Sequence, residues 1–138
     1  MVKGLLAFTI TASTLLVGFV STVHAQNGMD PRARGCDRDG ETLTLTSGGN
    51  YSRQWRPWER REIQVQLRKS NNCKANWVQA DIPVGTQIYL KDESGKTYVP
   101  YTAKVDGWNY SDMWDYSLPF SACAKLPSGQ EFCTSLVK

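Results

Sequence analysis

Residues 51–61, Tyr51-Ser52-Arg53-Gln54-Trp55-Arg56-Pro57-Trp58-Glu59-Arg60-Arg61, interleave four arginines with two tryptophans and a tyrosine. Guanidinium groups beside aromatic faces stack on sugars or bases and contact phosphates. Tryptophan also favours the headgroup level of a bilayer. The plainer role is a loop whose Trp side chains cover the core while its Arg pair with some of the chain's 13 acids. A second cluster, Asp106-Gly107-Trp108-Asn109-Tyr110-Ser111-Asp112-Met113-Trp114-Asp115-Tyr116, has the opposite charge. Trp and Tyr beside Asp and Asn suit sugar binding, because ring faces stack on sugar rings while polar groups bond the hydroxyls. The alternative there is a hydrophobic minicore closing one end of the fold. Asp112, Asp115 and Glu59 are the candidate acids of a glycoside hydrolase, which needs carboxyl groups roughly 5–9 Å apart. Two Asp three residues apart are weak support for that chemistry.

What the chain lacks is equally informative. Its one histidine, His24, falls in a predicted secretory leader, residues 1–25. Lys3 opens that leader, an uncharged apolar stretch follows, and Val23 and Ala25 fit a small-residue cleavage pattern. A mature chain from Gln26 to Lys138 has no histidine, which excludes Ser-His-Asp and Cys-His catalysis and His-ligated metals. Losing Lys3 takes the net charge from +3 to +2, too little for a global nucleic-acid argument. No later segment is long and apolar enough to span a bilayer as a helix.

The mature chain reads as β throughout. Glu62-Ile63-Gln64-Val65-Gln66-Leu67-Arg68 alternates strictly, which predicts Ile63, Val65 and Leu67 buried and Gln64 and Gln66 exposed. Thr42-Leu43-Thr44-Leu45-Thr46 is a shorter alternating strand, and 75–78, 87–90 and 96–99 are further candidates, the last two joined by a turn at 92–95. Residues 26–34 and 47–57 look irregular. Short strands without a helical period predict one all-β domain over 26–138, a small antiparallel β-sandwich or open barrel stapled by disulfides.

Cys36, Cys73, Cys123 and Cys133 are an even set in an exported chain, so two disulfides are expected. No C-x-x-C pair supports zinc, and no metal or other cofactor is expected. Pro127-Ser128-Gly129 suits a three-residue hairpin loop with Gly in the left-handed position. Counting back from it sets Cys123 opposite Cys133 and leaves Cys36 for Cys73. Asp37-Arg38-Asp39-Gly40-Glu41 has part of a calcium loop's pattern. A turn beside a disulfide explains it more simply.

Asp30-Pro31, then Gly35-Cys36 with Asp39 and Thr42, then Val65-x-Leu67-Arg68-x-Ser70-x-x-Cys73-x-Ala75-x-Trp77 resembles a bacterial family of secreted proteins with a domain of unknown function. Tyr110-Ser111-Asp112-Met113, Ala122-Cys123 and Cys133-Thr134 extend the likeness. The chain departs from it in lacking a cysteine pair before Asp30 and in carrying the 51–61 stretch. The resemblance implies export and a disulfide-tied fold, supplies no activity, and draws attention to Trp77, Arg68 and Asp39. Trp77 is expected to pack against a disulfide, and Arg68 to pair with a carboxylate such as Asp39.

The function expected is that of a secreted, non-catalytic binding module, with residence in the periplasm or on the cell surface as alternatives. Its contact surface is expected to comprise Trp55, Arg56, Trp58, Trp108, Tyr110 and Trp114, because two aromatic clusters lie in weakly patterned segments. The expected partner is a glycan or an extracellular protein. The competing class is a membrane-active or nucleic-acid-binding factor using 51–61.

Overall fold

The computed structural model describes residues 27–138. The expected leader lies outside them. Among the described residues nine strands form: β1 Glu41–Arg53, β2 Arg56–Ser70, β3 Ala75–Ile82, β4 Gln87–Asp92, β5 Thr97–Thr102, β6 Gly107–Tyr110, β7 Trp114–Asp115, β8 Phe120–Lys125 and β9 Glu131–Cys133. The one helical element among the described residues is a 3-10 turn, Cys36–Asp39. All pairings are antiparallel. The first sheet runs β1-β2-β3-β6 with β7 also on β3, and the second runs β5-β4-β8-β9.

Alternation along the strands makes the core. Ile63, Val65 and Leu67 of β2 and Val78, Ala80 and Ile82 of β3 meet Ile88, Leu90, Ala122 and Ala124 of the second sheet. The result is a β-sandwich. Gln64 and Gln66 are half-buried rather than exposed. Flanking strands shelter them, and Gln66 accepts a hydrogen bond from the Thr42 hydroxyl at 3.3 Å.

The sandwich is closed along both sides by aromatics. On one, the Phe132 ring of β9 lies on the backbone of Gly48 in β1, where an added Cβ would stand 2.4 Å from two ring carbons. Gly48→Ala should therefore cost about 1–3 kcal/mol by overpacking, read as a lower urea midpoint. An unchanged midpoint would show that Phe132 moves aside freely. On the other side, Tyr98 packs against Trp114 and Phe120, each with ring centroids 5.2 Å away.

A second, smaller core covers part of the outer face of the first sheet. There Cys36, Ala75, Trp77 and Met113 are buried together beneath the N-terminal segment, with Cys73 and Tyr110 at their margin. Cys36–Cys73 staples this layer, and Cys123–Cys133 bridges facing positions of β8 and β9, the pairing expected. The loop between them forms as its residues dictate, with Leu126 N–H donating to Gln130 at 2.8 Å and Gly129 at φ 91.

Two further expectations fail. Residues 47–53 and 56–57 are strand, not irregular chain. Ser47-Gly48-Gly49-Asn50 has the composition of a turn, but the pairing absorbs it as a register shift between Ser47 and Asn50, with Gly49 at φ 63. Arg68 and Asp39 do not pair. Arg68 donates to the Thr42 hydroxyl at 2.6 Å and the Gly40 carbonyl at 3.0 Å, with its guanidinium 6.0 Å from the Trp77 ring. Asp39 accepts from the Ser70 hydroxyl and the Asn72 N–H, which hold its carboxyl below the usual aspartate range. Both residues tie the 3-10 turn to the β2–β3 hairpin.

Candidate functional site at the corner end of the sandwich

β2 pairs with β3 only from Gln64 onward, so the distal part of the β1–β2 hairpin extends past the end of β3. Two corners lie at that same end: residues 83–86 carry the chain from the first sheet to the second, and residues 103–106 carry it back. Hydrogen bonds of 2.8 Å from Gly85 N–H to Ala103 and from Ala103 N–H to Thr86 hold the corners together.

Two acids fasten the hairpin. Asp106 Oδ2 accepts the Gln54 N–H at the hairpin turn, and Oδ1 accepts the Val84 N–H, both at 2.8 Å. These two N–H dipoles hold its carboxyl below the usual aspartate range. One side chain thus joins three loops. Lower down, Asp81 is buried and receives the Tyr51 hydroxyl at 2.6 Å and Arg61 in a two-oxygen grip, with Nη2 at 2.5 Å and Nε at 3.0 and 3.2 Å. Burial, then the Asp81 contact, pushes the Tyr51 hydroxyl far above its ordinary pKa, so it stays a donor.

Two clefts open at this end and share Val105. The first, about 300 Å³, lies between the hairpin turn and the corners, walled by Arg53, Trp55, Arg56, Lys104 and Asp106. Gly107, at φ +108, leaves room for Arg53, whose Nη2 would be 3.2 Å from any Cβ there. Glu59 stands 3.8–4.0 Å from Arg53, Arg56 and Arg61, so three guanidiniums share one carboxylate. At those distances and exposures the pairing is weak, and the cleft stays cationic.

The second cleft, about 290 Å³, is lined by Asp30, Tyr101, Trp108, Asn109, Tyr110 and Asp112. Asn109 is buried, and its amide donates to the Val105 and Gly107 carbonyls at 3.0 Å, which shapes the corner between the clefts. Arg32 lies 4.6 Å above the Tyr110 ring, and the Tyr110 hydroxyl is 3.4 Å from Asp30. Asp112 meets solvent on one side, yet partial burial in the cleft, followed by the nearby Asp30 carboxylate, pushes its carboxyl above the ordinary 3.8.

The sequence-predicted surface residues divide among four settings. Trp55 and Arg56 line the first cleft, and Trp108 and Tyr110 the second. Trp58 lines neither but is 79% exposed on the hairpin, beside Trp55 at 86%. Trp114 lies apart from both clefts: it is half-buried and serves the lateral closure against Tyr98. Asp115 caps the Ser117 N–H at 2.7 Å and does not line the cleft that holds Asp112. Lys104 lies in none of the sequence motifs, and Asp106 and Asp30 enter only within longer motifs, not as contact residues. Asp106-Gly107 is a dipeptide that favours turns, a signal the cluster reading passes over, whereas nothing local marks Asp30 as a neighbour of Asp112. Among the described residues, the one metal-like cluster is Cys123, Glu131 and Cys133, whose sulfurs are already joined.

No curated protein matches the chain, and no solved structure does. A family model, that of a protein of unknown function (DUF2690), matches residues 24–122, and the chain belongs to that family.

Proposed function

We propose that the protein is an exported, non-catalytic module that binds a glycan of the cell envelope or its surroundings. The observation that carries this is the juxtaposition of two aromatic clefts, each edged by charged groups, across the corner at Val105. Trp55 is 86% and Trp108 43% exposed, so each leaves a ring face for a sugar to stack on. Asp106, Asp81 and Asn109 pre-arrange the loops, which lowers the ordering cost of binding. Two disulfides, and no described helix long and apolar enough to cross a membrane, are compatible with life outside the cell.

Co-sedimentation with insoluble polysaccharides, followed by titration with soluble oligomers, tests the proposal. Trp55→Ala and Trp108→Ala should each weaken binding about tenfold or more, the behaviour of anchoring aromatics. Trp114→Ala should instead lower thermal stability, because its ring fills the lateral closure. Equal affinity in wild type, Trp55→Ala and Trp108→Ala would refute the placement of the site.

One observation favours a second role. Trp55 and Trp58 stand exposed near the end of an overhanging hairpin with Arg56 and Arg60, a composition suited to an anionic bilayer surface. That role requires salt-sensitive binding to phosphatidylglycerol vesicles that Trp58→Ala abolishes.

A further inference from the structure

We infer that the ligand is zwitterionic: an oligosaccharide with an acidic group that enters the Trp55 cleft and an ammonium group that enters the Trp108 cleft. This rests on the glycan-binding proposal and names the charge pattern it selects.

The first cleft presents three cations, Arg53, Arg56 and Lys104, around an exposed indole. Its one acid, Asp106, already has a backbone N–H on each oxygen. Glu59 lies outside the lining and is divided among three arginines at 3.8–4.0 Å. A carboxylate or phosphate arriving there meets solvent-facing guanidinium and ammonium donors, and Arg presents a fork that matches either anion.

The second cleft has the converse chemistry. Asp30 and Asp112 stand among Trp108, Tyr110 and Tyr101. Aromatic faces with carboxylates are the surroundings that recognise an ammonium group, since ring quadrupole and charge attract it together. Arg32 covers one face of Tyr110 at 4.6 Å, which leaves the Trp108 and Tyr101 rings of the lining for a ligand ammonium. Burial first, and the Asp30 carboxylate second, raise the Asp112 carboxyl, and a ligand cation beside it would favour its charged form.

Because the clefts adjoin at Val105, one ligand can reach both. A ligand bearing a single sign of charge gains in one cleft and meets its own sign in the other. A zwitterion gains in both. Like-charge juxtaposition is the element that rejects the wrong partner.

Calorimetric titration of the mature, oxidised protein with four hexamers of one glucosamine backbone tests this. They are N-acetylated chitin (neutral), chitosan (ammonium), carboxymethyl chitin (carboxylate) and carboxymethyl chitosan (both), measured at mildly acidic pH where amines are protonated and carboxylates ionised. Carboxymethyl chitosan should bind about tenfold or more tightly than each of the others. Lys104→Ala should shrink the gain due to the carboxylate, and Asp112→Asn the gain due to the ammonium. Equal binding of chitin and carboxymethyl chitosan would overturn the inference and leave glycan binding standing. Binding led by either single-charge hexamer, or affinities that neither substitution moves, would also overturn it. Failure of all four hexamers to bind would remove both proposals.

Discussion

Replacing Asp81 with alanine is expected to lower the unfolding free energy by about 3 kcal/mol, near the bottom of the range for breaking a buried pair. Two partners are orphaned. The Tyr51 hydroxyl, 2.6 Å from Oδ1, belongs to a side chain buried in the main core. Arg61 loses its two-oxygen grip, but its side chain is 26% exposed, so water replaces part of the loss. That difference places the cost below the maximum. Tyr51→Phe should cost only about 1 kcal/mol, the net worth of one hydrogen bond. The local effect should exceed the global one. With Asp81 gone, the Asp106 contact at Gln54 remains as the hairpin's other side-chain anchor, so amide exchange across 51–62 should accelerate. Urea denaturation with exchange measurements checks both. A loss under about 1 kcal/mol with unchanged exchange would mean that strand pairing alone positions the hairpin.

The double variant Cys36→Ala, Cys73→Ala should lose about 4 kcal/mol, the larger of the two disulfide effects. Chain entropy sets the order: this bridge closes a separation of 37 residues, whereas Cys123–Cys133 closes 10 and should contribute about 3 kcal/mol. Position also distinguishes them. Cys123 and Cys133 face each other in a hairpin that its own loop already registers. Cys36–Cys73 instead holds the N-terminal layer over Trp77 and Met113, and that layer carries Asp30 into the second cleft. The Cys36/Cys73 variant should therefore also show redder Trp77 emission and weaker binding of an ammonium-bearing glycan. A smaller loss of stability than for Cys123→Ala, Cys133→Ala would contradict this account.

Hairpin and alternation signals were legible because they depend on neighbours within a few positions. The strict period of two from Glu62 to Arg68 put Ile63, Val65 and Leu67 in the core. The Pro127-Ser128-Gly129 loop set the Cys123–Cys133 register. Trp77 lies in the small core with Cys36 and Cys73, as its place four residues after Cys73 suggested. The segment 47–57 misled because Gly48 and Gly49 break the alternation that marks a strand. Its strand character is supplied by the partner: Gln64 faces Ser47 and Glu62 faces Asn50 across a bulge.

The candidate site shows the same division. Trp55, Trp108 and Tyr110 stood out by residue type, and all line the clefts. Trp114 stood out equally but closes the side of the sandwich, since β7 pairs with Asn76 and its ring meets Tyr98 from the other sheet. Likewise Arg68 found Thr42 and Gly40 instead of Asp39, because Ser70 and Asn72 already take the carboxylate.

By itself the sequence determined the all-β architecture, the disulfide pairing and the kinds of side chain available for binding. Each follows from side-chain period, turn chemistry or cysteine spacing, all properties of short stretches of chain. Only the tertiary structure decided which charges meet. Asp106 joins the hairpin turn to the Val84 corner across 52 and 22 residues of sequence, and the N-terminal layer brings Asp30 into the cleft with Asp112. Those meetings depend on where two twisted sheets, a bulge and a disulfide place distant segments, and charge interactions at a few ångströms are set by that placement.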